Sequence, residues 1–291
     1  YYAIQAHPEK SGLVGAAVAD HPDIDPLQHG ILERGGKVSV SSLRLDALNR
    51  TEVAALRRSG HRTVSLAPEA GSQRMRDLIN KGLDEEQILH AVNLLADGDI
   101  RNLKLYFLIG LPTEEQDDLE ELLNLTDKIR LVWREVGRKR GSLGVVTLSV
   151  NPFIPKPFTP LQWSAMDSEK NLKKKLRFLR KSIARMPNTE LHCESIRAAK
   201  LQAFLSRGDR RVAQVLPFLE RGLKLKQACR EVNLNPDFYI DRERNEDEIF
   251  PWELIGQGVV RNYLWDEYQR GLKGQLTPRC MPGCQRCGVC G

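Results

Sequence analysis

The chain has 291 residues, 41% of them apolar and 28% charged, with 44 basic against 38 acidic side chains for a net charge of +6. That length buries a good core in one large domain or two ordinary ones. No apolar run approaches the roughly 18 residues of a membrane helix, and the mild positive charge suits an anionic substrate or RNA without being diagnostic of either.

The first ten residues, "YYAIQAHPEK", have neither a basic leader nor an apolar signal segment, and they read as the end of a helix. The chain is therefore expected to be a piece of a longer protein. From there one pattern repeats: a short apolar or β-branched run, a polar turn, then a helical stretch. The runs are "GLVGAAV" (12–18), "KVSVSSL" (37–43), "RTVSLAPEAG" (62–71), "NLKLYFLIGLP" (102–112) and "LGVVTLSVNPF" (143–153). Between them, "DALNRTEVAALRRSG" (46–60) puts Leu48, Val53 and Leu56 on one helical face, with Gly60 to end it. "DEEQILHAVNLLADG" (84–98) offers Asp84 as an N-cap, and "TEEQDDLEELLNLTDKI" (113–129) loads its first turn with acids.

Strands alternating with helices predict an α/β fold around a parallel sheet. Runs this apolar suit strands covered on both faces. Five such units fit a partial or complete barrel, or an open doubly wound sheet, with the chemistry at the carboxyl ends of the strands.

After the link at 155–165 the strand signal fades, and 166–275 read mainly as helices. This divides the chain into a βα domain (1–165), a helical domain (166–275) and a cysteine-rich tail (276–291). In "KNLKKKLRFLRKSIAR" (170–185), Leu172, Leu176, Leu179 and Ile183 fall at helical spacing. An amphipathic helix with a solvated basic face accounts for it. An RNA-binding face carried by Lys173, Lys174 and Lys175 is the competing function.

Three stretches carry candidate chemistry. In "APEAGSQRMRDLINKG" (67–82), Glu69 ends a strand and is aimed at the mouth of the sheet. The small residues after it would let a ligand approach the backbone, and the next helix start favours an anionic group. Ser72 is a helix cap; Arg74 and Arg76 sit in the first turn, where they make sense if one binds a carboxylate or phosphate. A capped helix with Glu69 paired to Arg74 or Arg76 explains the same residues. Gly110, in the turn of "LIGLP", permits close approach of a planar ligand, although such turns are common. Asp20 and His21 end the first run, as a site or as a turn and cap. An ordinary barrel enzyme using Glu69 as a general base also fits these residues.

In combination these segments resemble the later strands of a radical S-adenosylmethionine (SAM) domain. "PEAGSQRMRDLINKG" is similar to that family's fourth-strand segment and "LKLYFLIGLPTEEQDD" to its fifth; "SSLRLDAL" (41–48) and "VNPFIPKPFTPLQW" (150–163) resemble its third and sixth. With "GDRRV", "FPWELI" and the cysteine run, the pattern looks closest to cobalamin-binding-domain radical SAM proteins. The resemblance implies a six-unit partial βα barrel holding a four-iron four-sulfur cluster on three cysteines. There SAM is cleaved to methionine and a 5′-deoxyadenosyl radical, or cobalamin-dependent methyl or methylthio transfer is supported. It implies SAM contacts at Asp20, Glu69, Ser72, Arg74 or Arg76, Ile109, Gly110, Asn151 and Phe153. The second-strand residues 16–20 read Ala-Ala-Val-Ala-Asp where the family commonly has Gly-Gly-Glu. An electron donor such as flavodoxin or ferredoxin is the implied partner, with an unspecified substrate.

The family's C-x3-C-x2-C motif belongs after the first strand, yet no cysteine occurs here before Cys193. The cluster loop and first strand are therefore expected upstream of Tyr1, and this piece alone is expected to be inactive. Cys193 and Cys229 read as inert thiols. At the other end stand Cys280, Cys284, Cys287 and Cys290, four of the six cysteines. Without secretory signals that usage predicts a reducing, cytoplasmic setting and a metal site. A second iron–sulfur cluster, a zinc site and an unstructured tail remain open.

Overall fold

The structure is a computed structural model and describes residues 11–14, 18, 21–40 and 43–289. Strands β1 (Ser11–Leu13) and β2 (Val38–Val40) pair in parallel as a short sheet. Strands β3 (Thr63–Glu69), β4 (Asn102–Ile109), β5 (Val146–Pro152) and β6 (Thr189–Cys193) form a second, all-parallel sheet in that order. Parallel neighbours need crossovers, and helices supply them. These are α1 (Ile24–Glu33) between β1 and β2, and α2 (Arg50–Arg58) before β3. Helices α3 (Gln73–Leu78) and α4 (Glu85–Asp97) lead to β4, α5 (Gln116–Lys139) to β5, and α6 (Glu169–Ile183) to β6.

The caps follow the sequence. Asn49 accepts from the Glu52 amide at the start of α2, and Asp84 and Gln87 form a reciprocal capping box on α4. Leu48, Val53 and Leu56 are buried as the helical spacing requires. At β2, the Val38 amide donates to Ser59 Oγ at 2.8 Å, and His61 Nε2 stands 2.9 Å from the Val38 carbonyl. Side chains leading into β3 thus satisfy the backbone of β2.

The expectation that both faces of the strands are covered is corrected. Along β4, Leu103, Leu105, Phe107 and Ile109 are buried in the main core, whereas Lys104, Tyr106 and Leu108 on the other face are only partly buried. Strand β5 alternates likewise, with Thr147, Ser149 and Asn151 on the more open face. The sheet packs its helices on one side and presents a polar, partly open surface on the other, as the inside of an incomplete barrel does.

A sixth strand, β6, had no counterpart in the sequence pattern. It pairs with β5 from Val146↔Thr189 to Val150↔Cys193, so the sheet runs on past the 155–165 link. Its five residues include the exposed Glu190 and His192, which is why no apolar run marked it. Helix α6 is amphipathic as expected, with Leu172, Leu176, Leu179 and Ile183 buried. Its lysines do not form one face. Lys175 turns inward to Glu114 at 2.7 Å and Asp167 at 2.9 Å, and Lys173 pairs with Glu169 at 2.6 Å.

Beyond β6 the described chain is helical: α7 (Ile196–Arg207), α8 (Leu216–Glu220), α9 (Leu225–Glu231), α10 (Pro236–Ile240) and α11 (Arg261–Leu272). A second core joins this region to the sheet. Ala70, Met75 and Leu78 pack there with Trp163, Phe250, Trp252, Leu264 and Tyr268. Among the described residues no helix is long and apolar enough to cross a membrane.

Candidate functional site

A cavity of about 400 Å³ opens at the carboxyl ends of β3, β4 and β5. Its apolar wall includes Leu78, Leu108, Phe153 and Leu161, and its polar groups include Glu69, Lys81, Lys156 and Glu267. The position is the one parallel α/β sheets use, because side chains from several strand ends converge there.

Glu69 is placed by a break in the strand. The register between β3 and β4 shifts between Leu66 and Glu69, and Glu69 adopts φ +68°. A left-handed backbone costs a non-glycine residue about 1 kcal/mol or more, and such strain gathers where a side chain must be aimed. Lys81, in the loop after α3, stands 3.5 Å from Glu69 Oε1. Burial lowers the Lys156 ammonium from its ordinary range, against the pull of Glu194. Two carboxylates, two ammonium groups and an aromatic and aliphatic wall suit a small zwitterion with an apolar body.

The structure sorts the residues predicted for this site. Glu69 and Phe153 line the cavity. Ser72 is buried and caps α3 by accepting from the Met75 amide, and its hydroxyl donates to Asp118 Oδ1 at 2.7 Å. Arg74 also meets Asp118, by a short ion pair to Oδ2, and donates to the Thr113 carbonyl at 2.9 Å. Arg76 is a buried clamp: its guanidinium donates to the carbonyls of Ala70, Gly71 and Leu83 and to Gln73 Oε1. Neither arginine is the partner of Glu69. Lys81 is, and its only sequence signal was its place in "NKG".

Two glycines also change meaning. A Cβ on Gly71 would lie 2.1 Å from Leu122 Cα, so the missing side chain admits helix α5 rather than a ligand. Gly110 has φ +78° and faces Leu172 and Asp167, while its amide donates to Glu114 Oε2 at 2.7 Å. Ile109 is fully buried in the main core, and the preceding Leu108 lines the cavity in its place. Asn151 is half-buried on the open face of β5. Asp20 lies outside the described residues; the neighbouring His21 accepts from the Asp23 amide through Nδ1 at 3.1 Å, a local turn contact.

A smaller pocket of about 240 Å³ adjoins the cavity and shares Asn80 and Lys81 with it. Cys280, Cys284 and Cys287 line it together with Arg279, Arg286 and Tyr263. Asn80 fixes the tail by accepting from the Thr277 amide at 3.2 Å and donating to its carbonyl at 3.4 Å. Arg279 reaches Asp46 at 2.5 Å. Arg286 Nε donates to Cys284 Sγ at 3.2 Å, and that bond lowers the thiol's pKa. Among the described residues no three His, Cys, Asp or Glu side chains are arranged to hold a metal ion; Cys290 lies outside them. Of the two isolated cysteines, Cys229 is fully buried, and burial raises the pKa of both thiols.

Residues 9–126 match the sequence model of the Radical SAM superfamily. Over those residues the chain is similar to radical SAM proteins. A curated relative, an uncharacterized protein of Methanocaldococcus jannaschii, is 33% identical over 233 residues, 80% of this chain and 49% of that protein. The chain thus spans about half the length of the curated relative it matches.

That superfamily is built around SAM and a four-iron four-sulfur cluster, and the two fit these residues differently. The cavity's lysines, Glu69 and apolar wall have the character that SAM's carboxylate, amine and adenine require. The cluster needs three thiolates, and the matched residues 9–126 contain none: the first cysteine of the sequence is Cys193, half-buried at the end of β6. The described residues therefore supply no ligand set for the superfamily's cluster.

Proposed function

We propose that these residues are the SAM-binding part of a radical SAM enzyme whose cluster thiolates come from sequence preceding Tyr1. The observation that carries this reading is Glu69, held in a strained backbone at the mouth of the sheet and paired with Lys81 in an amphipathic cavity. Lys81 or Lys156 pairs with the SAM carboxylate, Glu69 accepts from the amine or the ribose, and Phe153 and Leu108 pack against the adenine. Exchanging the Glu69–Lys81 pair for ligand contacts keeps both charges satisfied.

Methyl or methylthio transfer with cobalamin rests on the resemblance of the sequence alone. The C-terminal cysteines are proposed as an accessory metal site, iron–sulfur or zinc, on the strength of their spacing and of the pocket that Cys280, Cys284 and Cys287 share with Lys81.

The test begins with the encoded sequence upstream of Tyr1, which should carry C-x3-C-x2-C. Reconstituted anaerobically, that longer protein should yield 5′-deoxyadenosine and methionine from SAM. Lys81→Met should weaken SAM binding about tenfold, the equivalent of one lost charge-assisted contact. Native upstream sequence without cysteines, or SAM binding indifferent to both Glu69→Gln and Lys81→Met, would overturn the reading.

A further inference from the structure

A second concentration of charge lies away from the cavity, where α7 meets residues 163–164. Arg207, the last residue of α7, is 1% exposed. Its Nη1 donates to the Ser164 carbonyl at 2.8 Å, whereas its Nε and Nη2 have no acceptor. Arg244, 6% exposed, is tied to the same link through its amide, which donates to the Trp163 carbonyl at 2.9 Å. Its Nη2 reaches the Tyr239 carbonyl at 3.3 Å and its Nη1 has no acceptor. Trp163, fully buried, also leaves its indole Nε1 without a partner.

Charge is unbalanced in the same place. Arg244 and Arg242 act on Arg207 and Arg242 acts on Arg244, while the Glu248 carboxylate acts on all three. That carboxylate is already held by both Nη atoms of Arg242, at 2.6 Å each, and stands 3.6 Å from Arg244 Nε. Burial, then the neighbouring guanidiniums, push Arg207 down to about 9. Since guanidinium keeps its proton in proteins, the imbalance calls for a counter-charge rather than a proton loss.

We propose that Arg207 and Arg244 form an internal site for a small inorganic anion of the chloride or phosphate class. The orphaned guanidinium and indole atoms are all donors, and the orphaned Ser164 hydroxyl beside them can donate too, so one acceptor could serve the whole set. A water molecule brings as many donors as acceptors and no charge, so it leaves three guanidiniums against one carboxylate. The setting is apolar: the Arg244 guanidinium lies over Phe250 at 5.4 Å and Trp252 at 5.5 Å, and Trp163 is fully buried. An anion here would fasten α7 to the 163–164 link and to the 239–252 segment. It would thereby fix Trp163 in the core that also holds the cavity residues Leu78, Phe153 and Leu161.

The test uses crystals of the protein soaked in sodium bromide, and thermal unfolding in sodium chloride, phosphate or gluconate at equal ionic strength. Expected are an anomalous bromide peak within hydrogen-bonding distance of Arg207 and Arg244, and a saturable rise of several degrees in Tm with chloride or phosphate over gluconate. The rise should vanish in Arg207→Met, and which anion produces it identifies the natural occupant. No bromide peak, ordered water only at the site, or a rise that persists in Arg207→Met overturns the proposal. If Arg207→Met does not fold, the bromide map decides alone.

Discussion

Glu69 and Glu52 show how differently two carboxylates of one chain are treated. Glu69 was legible because it ends an apolar run and precedes small residues; its backbone strain and its partner Lys81 were not, since both depend on the register shift in β3 and on the loop after α3. Glu52 gave no signal, lying in the polar half of a helical pattern. In the structure it is 3% exposed, one carboxylate oxygen has no partner, and burial, reinforced by Asp25, raises its pKa to about 7. A carboxyl raised in the folded state binds its proton more tightly there than when unfolded. It therefore stabilises the fold fully below about pH 4.5, and that contribution is lost as pH rises through about 7. Glu52→Gln should remove this slope, leaving the variant more stable than the parent at pH 8 by up to about 3 kcal/mol. Urea midpoints from pH 5 to 8 measure it, and parallel curves for the two proteins would refute it.

At the scale of elements, two contacts carry consequences the sequence pattern did not give. The α5 helix lies against the turn after β3 so closely that a methyl group on Gly71 would meet the Leu122 backbone. Gly71→Ala should cost about 3 kcal/mol or more, or displace α5, because backbone cannot yield as a side chain does. Calorimetry of the variant settles it; a stable Gly71→Ala protein that had lost only SAM binding would restore the ligand-approach role. The second contact joins the turn after β4 to α6. Glu114 there accepts from the Gly110 amide and from Lys175, and burial still raises its pKa. Lys175→Met leaves that carboxylate buried without its cation and should destabilise by about 3–5 kcal/mol, most at high pH, where Glu114 must stay ionised or take up a proton. Adding Glu114→Gln should recover most of the loss in a double-mutant cycle. Lys175 looked like one of three surface lysines because helical spacing gives the face of a residue and not the depth of its neighbours.

For the whole molecule, the βα order was legible since apolar runs and helical stretches alternate at regular spacing, and β6 was not, since its exposed Glu190 and His192 break any apolar run. The cavity was legible only as a direction, the carboxyl ends of the strands. Its far wall, Glu267 and Gln275 at the end of the helical region, comes from tertiary packing that no local pattern encodes. The same holds for the cysteine tail, whose place beside the cavity draws on two anchors more than 190 residues away in sequence, Asn80 at Thr277 and Asp46 at Arg279, besides the nearer bonds of Thr277 to Glu267 and of the Val260 amide to the Cys287 carbonyl. Arg44, with Arg279 in support, holds Asp46 down at about 2, so its charge and the anchor persist through ordinary acid. Asn80→Ala with Asp46→Ala should loosen the tail while leaving the sheet intact, because neither residue belongs to either hydrophobic core. Hydrogen exchange should then speed up across residues 276–289 and stay unchanged in β3, β4 and β5. A tail protected equally in both proteins would show that its place beside the cavity is held by something other than these two contacts.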